Sequence, residues 1–410
     1  MESLKPRDRK QERATLALML LIMLLGYVLL HDLLGGTLFA HSSWDSYTLQ
    51  SLAWLRGQLD LGRNYDYLEL AIFEGKYFVS FPPFPSIVLL PFAALFGENT
   101  PNNLLVALLA MASAALVYRL ACRARYAPNN AALLALFLVW GSNLMWMSTN
   151  GGVWFMAQSL NFLLLLLSLW CALGDRRLLA YLFVAFAVGC RPFSAFAFLP
   201  LFVYFYEKDR EKGFGFLRAA LMQWKAWLPV AAVALAYMWY NYARFGSPLE
   251  FGHNYLPEFT EAENGQFNFA YLAENLYNIW LRPVRLRLDL TLDYPAFNGF
   301  LFYVANPFFL LLFAALGRNV WKRSFRPARA ALLIAMLCVM LALCAHKTFG
   351  GWQFGARYTV DMLPLALAYF LLSPRAGEGE PRLRNWEKAA AYFGILFNVY
   401  GALAMNFLYA

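Results

Sequence analysis

The chain alternates long apolar runs with short polar ones. A run of about 20 apolar residues crosses a bilayer as a helix. The pattern predicts eleven spans: 14–34, 103–121, 129–147, 153–172, 178–190, 192–206, 227–243, 298–316, 330–346, 361–373 and 389–409. Three are short. Residues 178–206 form one apolar run interrupted by Cys190-Arg191-Pro192. We divide it there because an arginine is costly at mid-bilayer and Pro192 lacks the N–H that a helix interior needs. The short span 361–373 has room to begin earlier, in the aromatic stretch 349–360. The expected fold class is all-α, a polytopic membrane protein with about eleven transmembrane helices and a cytosolic N-terminus. Interfacial helices are expected in the first outer loop. There Ser43 is placed as the N-cap of a helix, with Asp45 in its first turn and Trp44, Tyr47, Leu52 and Leu55 on one face. Pro82, Pro83 and Pro85 then force an extended entry into the apolar stretch 86–97, which suits a re-entrant or interfacial helix.

Composition agrees. Of 410 residues, 61% are hydrophobic and 14% charged, against about 45–50% and about 25% in soluble domains. The net charge of +9 suggests a nucleic-acid partner only until the charges are placed. With the N-terminus inside, the cytosolic segments are 1–13, 119–126, 174–177, 207–226, 317–329 and 374–388, and they hold 24 of the 34 Lys and Arg residues. This is the positive-inside bias, so the basicity reports orientation and no nucleic-acid partner is expected. No small-residue cleavage site follows the first apolar run, which therefore reads as a retained helix. The five cysteines lack metal spacing and read as small buried apolar residues. Residues 1–373 form the expected functional module, and 374–410 a cytosolic linker with a last span.

The cytosolic loops are short and carry no glycine-rich phosphate loop, so chemistry driven by ATP or a nucleotide sugar is not expected. The larger polar segments, 35–102, 244–297 and 347–360, lie outside. On spacing alone, Asp45 is either a complement to a helix dipole or a working carboxylate. Lys76 is either a snorkelling interfacial lysine or a headgroup contact. The segments Tyr242-Ala243-Arg244-Phe245-Gly246-Ser247-Pro248 and Gly350-Gly351-Trp352 through Arg357-Tyr358 each join glycines, aromatics and one arginine. Glycine lets backbone approach a ligand, and arginine reads phosphate with paired donors. Tyr77, Trp352 and Tyr358, with His253, are candidates for substrate contact; the alternative for the aromatics is a plain interfacial belt. The glutamates of the 244–297 loop read as a solvated surface.

Taken in order, these motifs resemble the GT-C superfamily of integral membrane glycosyltransferases. The likeness is to its protein O-mannosyltransferase and lipid A aminoarabinose-transferase branch. It runs from Trp44-Asp45-Ser46-Tyr47 through Gly75-Lys76-Tyr77-Phe78, Phe81-Pro82-Pro83-Phe84-Pro85 and Cys190-Arg191-Pro192 to Arg357-Tyr358. The resemblance implies a polyprenyl-phosphate-sugar donor and a lipid, glycan or protein acceptor. It also implies residence in the plasma membrane with the site on the outer face. Asp45 would be the base or would position the acceptor, and Arg191, Arg357, Lys76 and Arg244 would hold the donor phosphate. Many relatives carry Asp-Glu where this chain has Asp45-Ser46, which leaves any metal requirement open. No cofactor is expected, and no His, Asp or Glu spacing supports a divalent metal.

The chemistry fits on its own terms. A base frees the acceptor hydroxyl, and a phosphate leaving group stabilised by cations needs no general acid. Two other classes compete. A transporter or flippase would show repeated halves, and none is visible. A polysaccharide polymerase or ligase would share the arginines and the lipid phosphate but lacks a reason for an Asp45 helix between the first two spans.

Overall fold

The computed structural model describes residues 8–289, 291–374 and 381–407. The ends of the first cytosolic segment and of span 389–409, and much of the linker 374–388, lie outside the described residues. The bundle opens with α1 (Arg9–Leu33), capped by the Asp8 carboxylate. A loop leads to α2 (Ser46–Leu55), the hairpin β1 (Leu70–Phe73) and β2 (Lys76–Val79), and α3 (Phe84–Phe96). Then come α4 (Asn102–Arg123), α5 (Pro128–Val139), α6 (Leu144–Met147), α7 (Val153–Leu173), α8 (Arg177–Val188) and α9 (Phe198–Glu211). The next elements are α10 (Phe216–Leu221) and α11 (Trp224–Phe245), then α12 (Pro257–Thr260), α13 (Leu272–Trp280) and the short pair β3 (Arg285–Leu286) and β4 (Leu292–Asp293). The chain closes with α14 (Phe302–Ala305), α15 (Phe308–Trp321), α16 (Pro327–Cys344), α17 (Leu363–Leu372) and α18 (Asn385–Phe407).

This is an all-α integral membrane fold, as the pattern predicts. Six helical stretches are long and apolar enough to cross a bilayer: Arg9–Leu33, Asn102–Arg123, Val153–Leu173, Phe216–Phe245, Pro327–Cys344 and Asn385–Phe407. The other five predicted spans coincide with α5, α8, α9, α15 and α17, which have 10–14 residues each. At ~1.5 Å per residue such helices reach roughly 15–21 Å, short of the ~30 Å hydrocarbon layer. They are short because polar residues interrupt them. The span 129–147 stops at Val139: Ser142 Oγ bonds back to the Leu138 carbonyl at 2.7 Å, and the Asn143 N–H is taken by Asn306. The span 298–316 breaks at Asn306-Pro307. The span 192–206 starts as a 3-10 turn at Pro192–Ala197, and 361–373 does begin earlier, as a 3-10 turn at Arg357–Met362.

The first outer helix differs from expectation. Its N-cap is Asp45 rather than Ser43, because the Asp45 carboxylate accepts the Thr48 N–H at 3.1 Å. Its buried side also differs. Tyr47, Gln50, Ser51 and Ala53 are buried, whereas Trp44 and Leu55 are exposed. The polar side faces inward because it finds partners there: Ser51 Oγ donates to the Ser86 carbonyl on α3, Ser86 Oγ donates back to Gln50 Oε1, and Gln50 Nε2 donates to Tyr240 on α11. At the opposite end of the bundle an Arg177 fork grips Asp209 at 2.5 and 2.6 Å and ties α8 to α9.

Candidate functional site

The broken ends of the helices and the large loops meet at one end of the bundle, around a cavity of about 1140 Å³. A buried polar cluster stands behind its wall, with Arg191 as the member that lines the cavity. Gln158 and Asn161 on α7 reach the Asp361 Oδ1 atom at 3.4 and 3.3 Å, and Arg191 Nε donates to Asp361 Oδ2 at 3.0 Å. Ionisable side chains within a membrane bundle are expensive and mark functional regions.

Arg191 and Arg357 both line the cavity, and both guanidinium carbons lie 4.7 Å from the centroid of the Tyr358 ring. Their environments differ. Arg191 has its carboxylate. Arg357 donates Nε to the Gly350 backbone carbonyl at 2.9 Å and Nη1 to the Gln158 side-chain Oε1 at 2.8 Å. Among the described residues no carboxylate lies within ion-pair distance of Arg357.

The glycines of this segment follow from its path. Gly350 and Gly355 have φ of +87° and +75°, a region in which side chains are strained. A Cβ at Gly355 would meet the Asn143 amide nitrogen at 2.4 Å.

The other expected residues divide. Trp352, Tyr358 and His253 line the cavity. Lys76 does not: it is exposed at the start of β2, beside the hairpin turn. Tyr77 is half-buried on the hairpin against Leu61 and Leu70 and is not a cavity residue. Arg244 is buried outside the cavity wall. It donates to the Val79 carbonyl at 2.8 Å and to Asn241 at 3.0 Å, with its guanidinium over Tyr240, and so ties α11 to the hairpin. Asp45 is 4% exposed, and its carboxylate accepts from the Thr48 N–H, the Thr48 hydroxyl and the Asn102 amide. Burial outweighs these bonds and raises its proton affinity above that of an ordinary carboxyl group. Its neighbours Trp44 and Tyr47 line the cavity.

Three carboxylates that sequence reasoning missed or set aside also line it: Glu69, Glu250 and Glu258. Reading the loop glutamates as a uniform solvated surface is corrected on this point, since the loop folds back over the bundle. Glu69 accepts from the Trp154 indole N–H at 3.2 Å, and crowding by protein, with Glu258 nearby, raises its pKa. No signal around Leu68-Glu69-Leu70 separates it from other loop acids. His253 and His346 are both pushed down to about 4, chiefly by burial. Among the described residues no group of three His, Cys, Asp or Glu is placed to hold a metal ion.

Comparison with solved structures supplies the frame. The apo structure of ArnT from Cupriavidus metallidurans aligns at a TM-score of 0.50 and 15% identity, over 88% of this chain and 60% of that one. The apo oligosaccharyltransferase of Archaeoglobus fulgidus aligns at 0.52 and 15%, over 97% and 56%. The same enzyme tethered to an acceptor peptide containing the NVT sequon aligns at 0.51 and 14%, over 97% and 55%. This chain has the GT-C fold. It spans little more than half the length of these GT-C proteins. No protein-family model and no curated protein matches its sequence.

Proposed function

We propose that this GT-C chain is a glycosyltransferase that moves a sugar from a polyprenyl-phosphate-linked donor to a lipid, glycan or protein acceptor. The proposed site is the loop-bearing end of the bundle, on the outer face of the cell membrane. One observation carries the reading: Arg357 is a buried guanidinium held only by neutral acceptors, at the wall of a large cavity. A buried cation without a counter-ion is costly, and a phosphate would supply the missing charge with two acceptors for one guanidinium. Arg191 stands beside it. As the bond from the anomeric carbon to the phosphate oxygen breaks, negative charge grows on the phosphate, and the arginines stabilise it there. The cavity exceeds the roughly 300–1,000 Å³ typical of a single small-ligand pocket, which leaves room for donor and acceptor together. Two carboxylates stand for the base. Asp45 is the one expected from the resemblance, and Glu69 is the one that lines the cavity.

The test is transfer itself. Full-length protein in nanodiscs is given labelled pentoses and hexoses on polyprenyl phosphate, with a membrane extract as acceptor. We expect label to reach the acceptor fraction, and Arg357→Ala to stop it. Failure with every donor, together with equal affinity for undecaprenyl phosphate and undecaprenol, would overturn the proposal.

A further inference from the structure

The last helix carries no sequence motif, yet it reaches the Arg357 segment through three buried asparagines. Asn143, between α5 and α6, donates its amide Nδ2 to Asn398 Oδ1 on α18 at 3.0 Å. Asn143 Oδ1 accepts from Asn306 Nδ2 at 2.8 Å and from the Ala356 N–H at 2.9 Å. Asn306 Nδ2 also donates to Thr359 Oγ1 at 2.9 Å, and that hydroxyl bonds back to the Ala356 carbonyl at 2.8 Å. Asn398 completes the set by donating to the Ala305 carbonyl at 2.9 Å. All three asparagines are fully buried. A buried polar network that is fully satisfied rigidifies the backbone it holds.

Packing on α18 points the same way. Gly394, Asn398 and Gly401 are spaced four and three residues apart and share one helix face. A Cβ at Gly401 would meet the Phe354 ring at 2.2 Å, and one at Gly394 would meet Pro307 at 2.7 Å and the Gly141 carbonyl at 2.9 Å. The face is cut away so that α18 can lie against the strap 353–357. Within the strap, Gln353 Oε1 accepts the Arg357 N–H at 2.7 Å. The successive N–H groups of Ala356 and Arg357 are thus both held, the first by Asn143 and the second by Gln353.

We propose that α18, through Asn398 and the Gly394–Gly401 face, is a positioning element for the anion site, fixing the strap that aims Arg357 at a phosphate. The proposal rests on the reading of Arg357 given above. It makes α18 part of the working module, where the sequence placed it outside.

The experiment measures affinity of the full chain in nanodiscs for undecaprenyl phosphate and for undecaprenol, and takes the ratio. That ratio isolates the phosphate contribution from the lipid tail. We expect a ratio well above one in the wild type, lowered about tenfold in Asn398→Ala and in Gly401→Ala, as for one displaced charge-assisted contact. Undecaprenol binding should stay unchanged. Asn319→Ala is the control for lost stability. That buried amide bonds to Tyr369 and Ser373, joining α15 to α17 away from the strap, so its variant should melt earlier and keep the wild-type ratio. An unchanged ratio in Asn398→Ala and Gly401→Ala, with Arg357→Ala lowered, would overturn the positioning role and leave the phosphate reading standing. A wild-type ratio near one would overturn both.

Discussion

Arg357 Nη1 donates to the Gln158 side-chain oxygen at 2.8 Å, so a helix-borne neutral amide stands where an ion pair would be expected. Gln158 also reaches Asp361 Oδ1 with its other end, at 3.4 Å. One amide therefore separates Arg357 from the nearby carboxylate that serves Arg191. The two arginines share a ring and differ in charge balance, and that difference sets what each substitution should do.

Arg357→Lys keeps the charge and loses the planar fork that spans Gly350, Gln158 and a ligand. Affinity for undecaprenyl phosphate should fall about tenfold to a hundredfold, with undecaprenol binding unchanged. Titration in nanodiscs checks this, and full retention in the lysine variant would show that a point charge suffices.

Asp361→Asn removes the counter-ion of Arg191 while leaving one side-chain oxygen to accept from Gln158 and Asn161. Removing one partner of a buried pair typically costs ~3–5 kcal/mol. The melting temperature should drop by several degrees and recover in part when undecaprenyl phosphate is added, since the ligand then supplies the negative charge. A variant that melts lower with no ligand-dependent recovery would argue against an anion at Arg191.

Asp45 and Glu69 can be told apart. Asp45 caps α2 and holds Asn102, so Asp45→Asn should lower stability by ~1 kcal/mol as well as activity. Glu69 has one indole partner and lines the cavity, so Glu69→Gln should lower kcat by a factor of 100 or more with the melting temperature nearly unchanged. In the wild type, kcat should fall as pH drops through a value above the ordinary carboxylate range, because Glu69 is raised. If Glu69→Gln stays active while Asp45→Asn is dead at equal stability, the base is Asp45.

His253 and His346 give stability an acid limit. The unfolded chain takes up protons as pH falls through about 6.5, whereas the folded imidazoles resist until about 4. Their contribution is complete above pH ~6.5 and is lost as pH falls toward the folded value. Melting temperature measured from pH 7 to 4.5 should decline, and His346→Gln should flatten the slope. Equal slopes in both proteins would remove the histidines as the cause.

Much of this was legible in the sequence, and the exceptions have physical causes. Each apolar run contains a helix, but only six helical stretches are long enough to cross a bilayer, because polar residues such as Ser142 and Asn306 cut the others short. Arg191, Arg357 and Tyr358 came together as expected, since glycine and proline breaks mark where chains leave the bundle. Lys76 and Tyr77 did not join them: a two-residue turn at Glu74-Gly75 puts them on a hairpin that leans on α2 and α11 rather than on the cavity. Glu69 was invisible because its role comes from which wall it faces, and that depends on α7, some 85 residues later. The asparagine network was invisible for the same reason, with partners 163 and 255 residues apart.

The Arg191–Asp361 pair joins residues 170 positions apart, and this bears on how the chain is made. When 178–206 leaves the ribosome, the carboxylate that will neutralise Arg191 has not yet been synthesised. The two half-length helices α8 and α9 also cannot each cross a bilayer while an unpaired guanidinium lies between them. Their final seat opens only once α16 and the segment before α17 arrive. Until then Arg191 must stay in a wet environment, at the translocation pore or at the headgroup layer. The pair that neutralises Arg191 can therefore close only after residue 361 has been made, so the C-terminal third completes the charge balance of a segment made long before it.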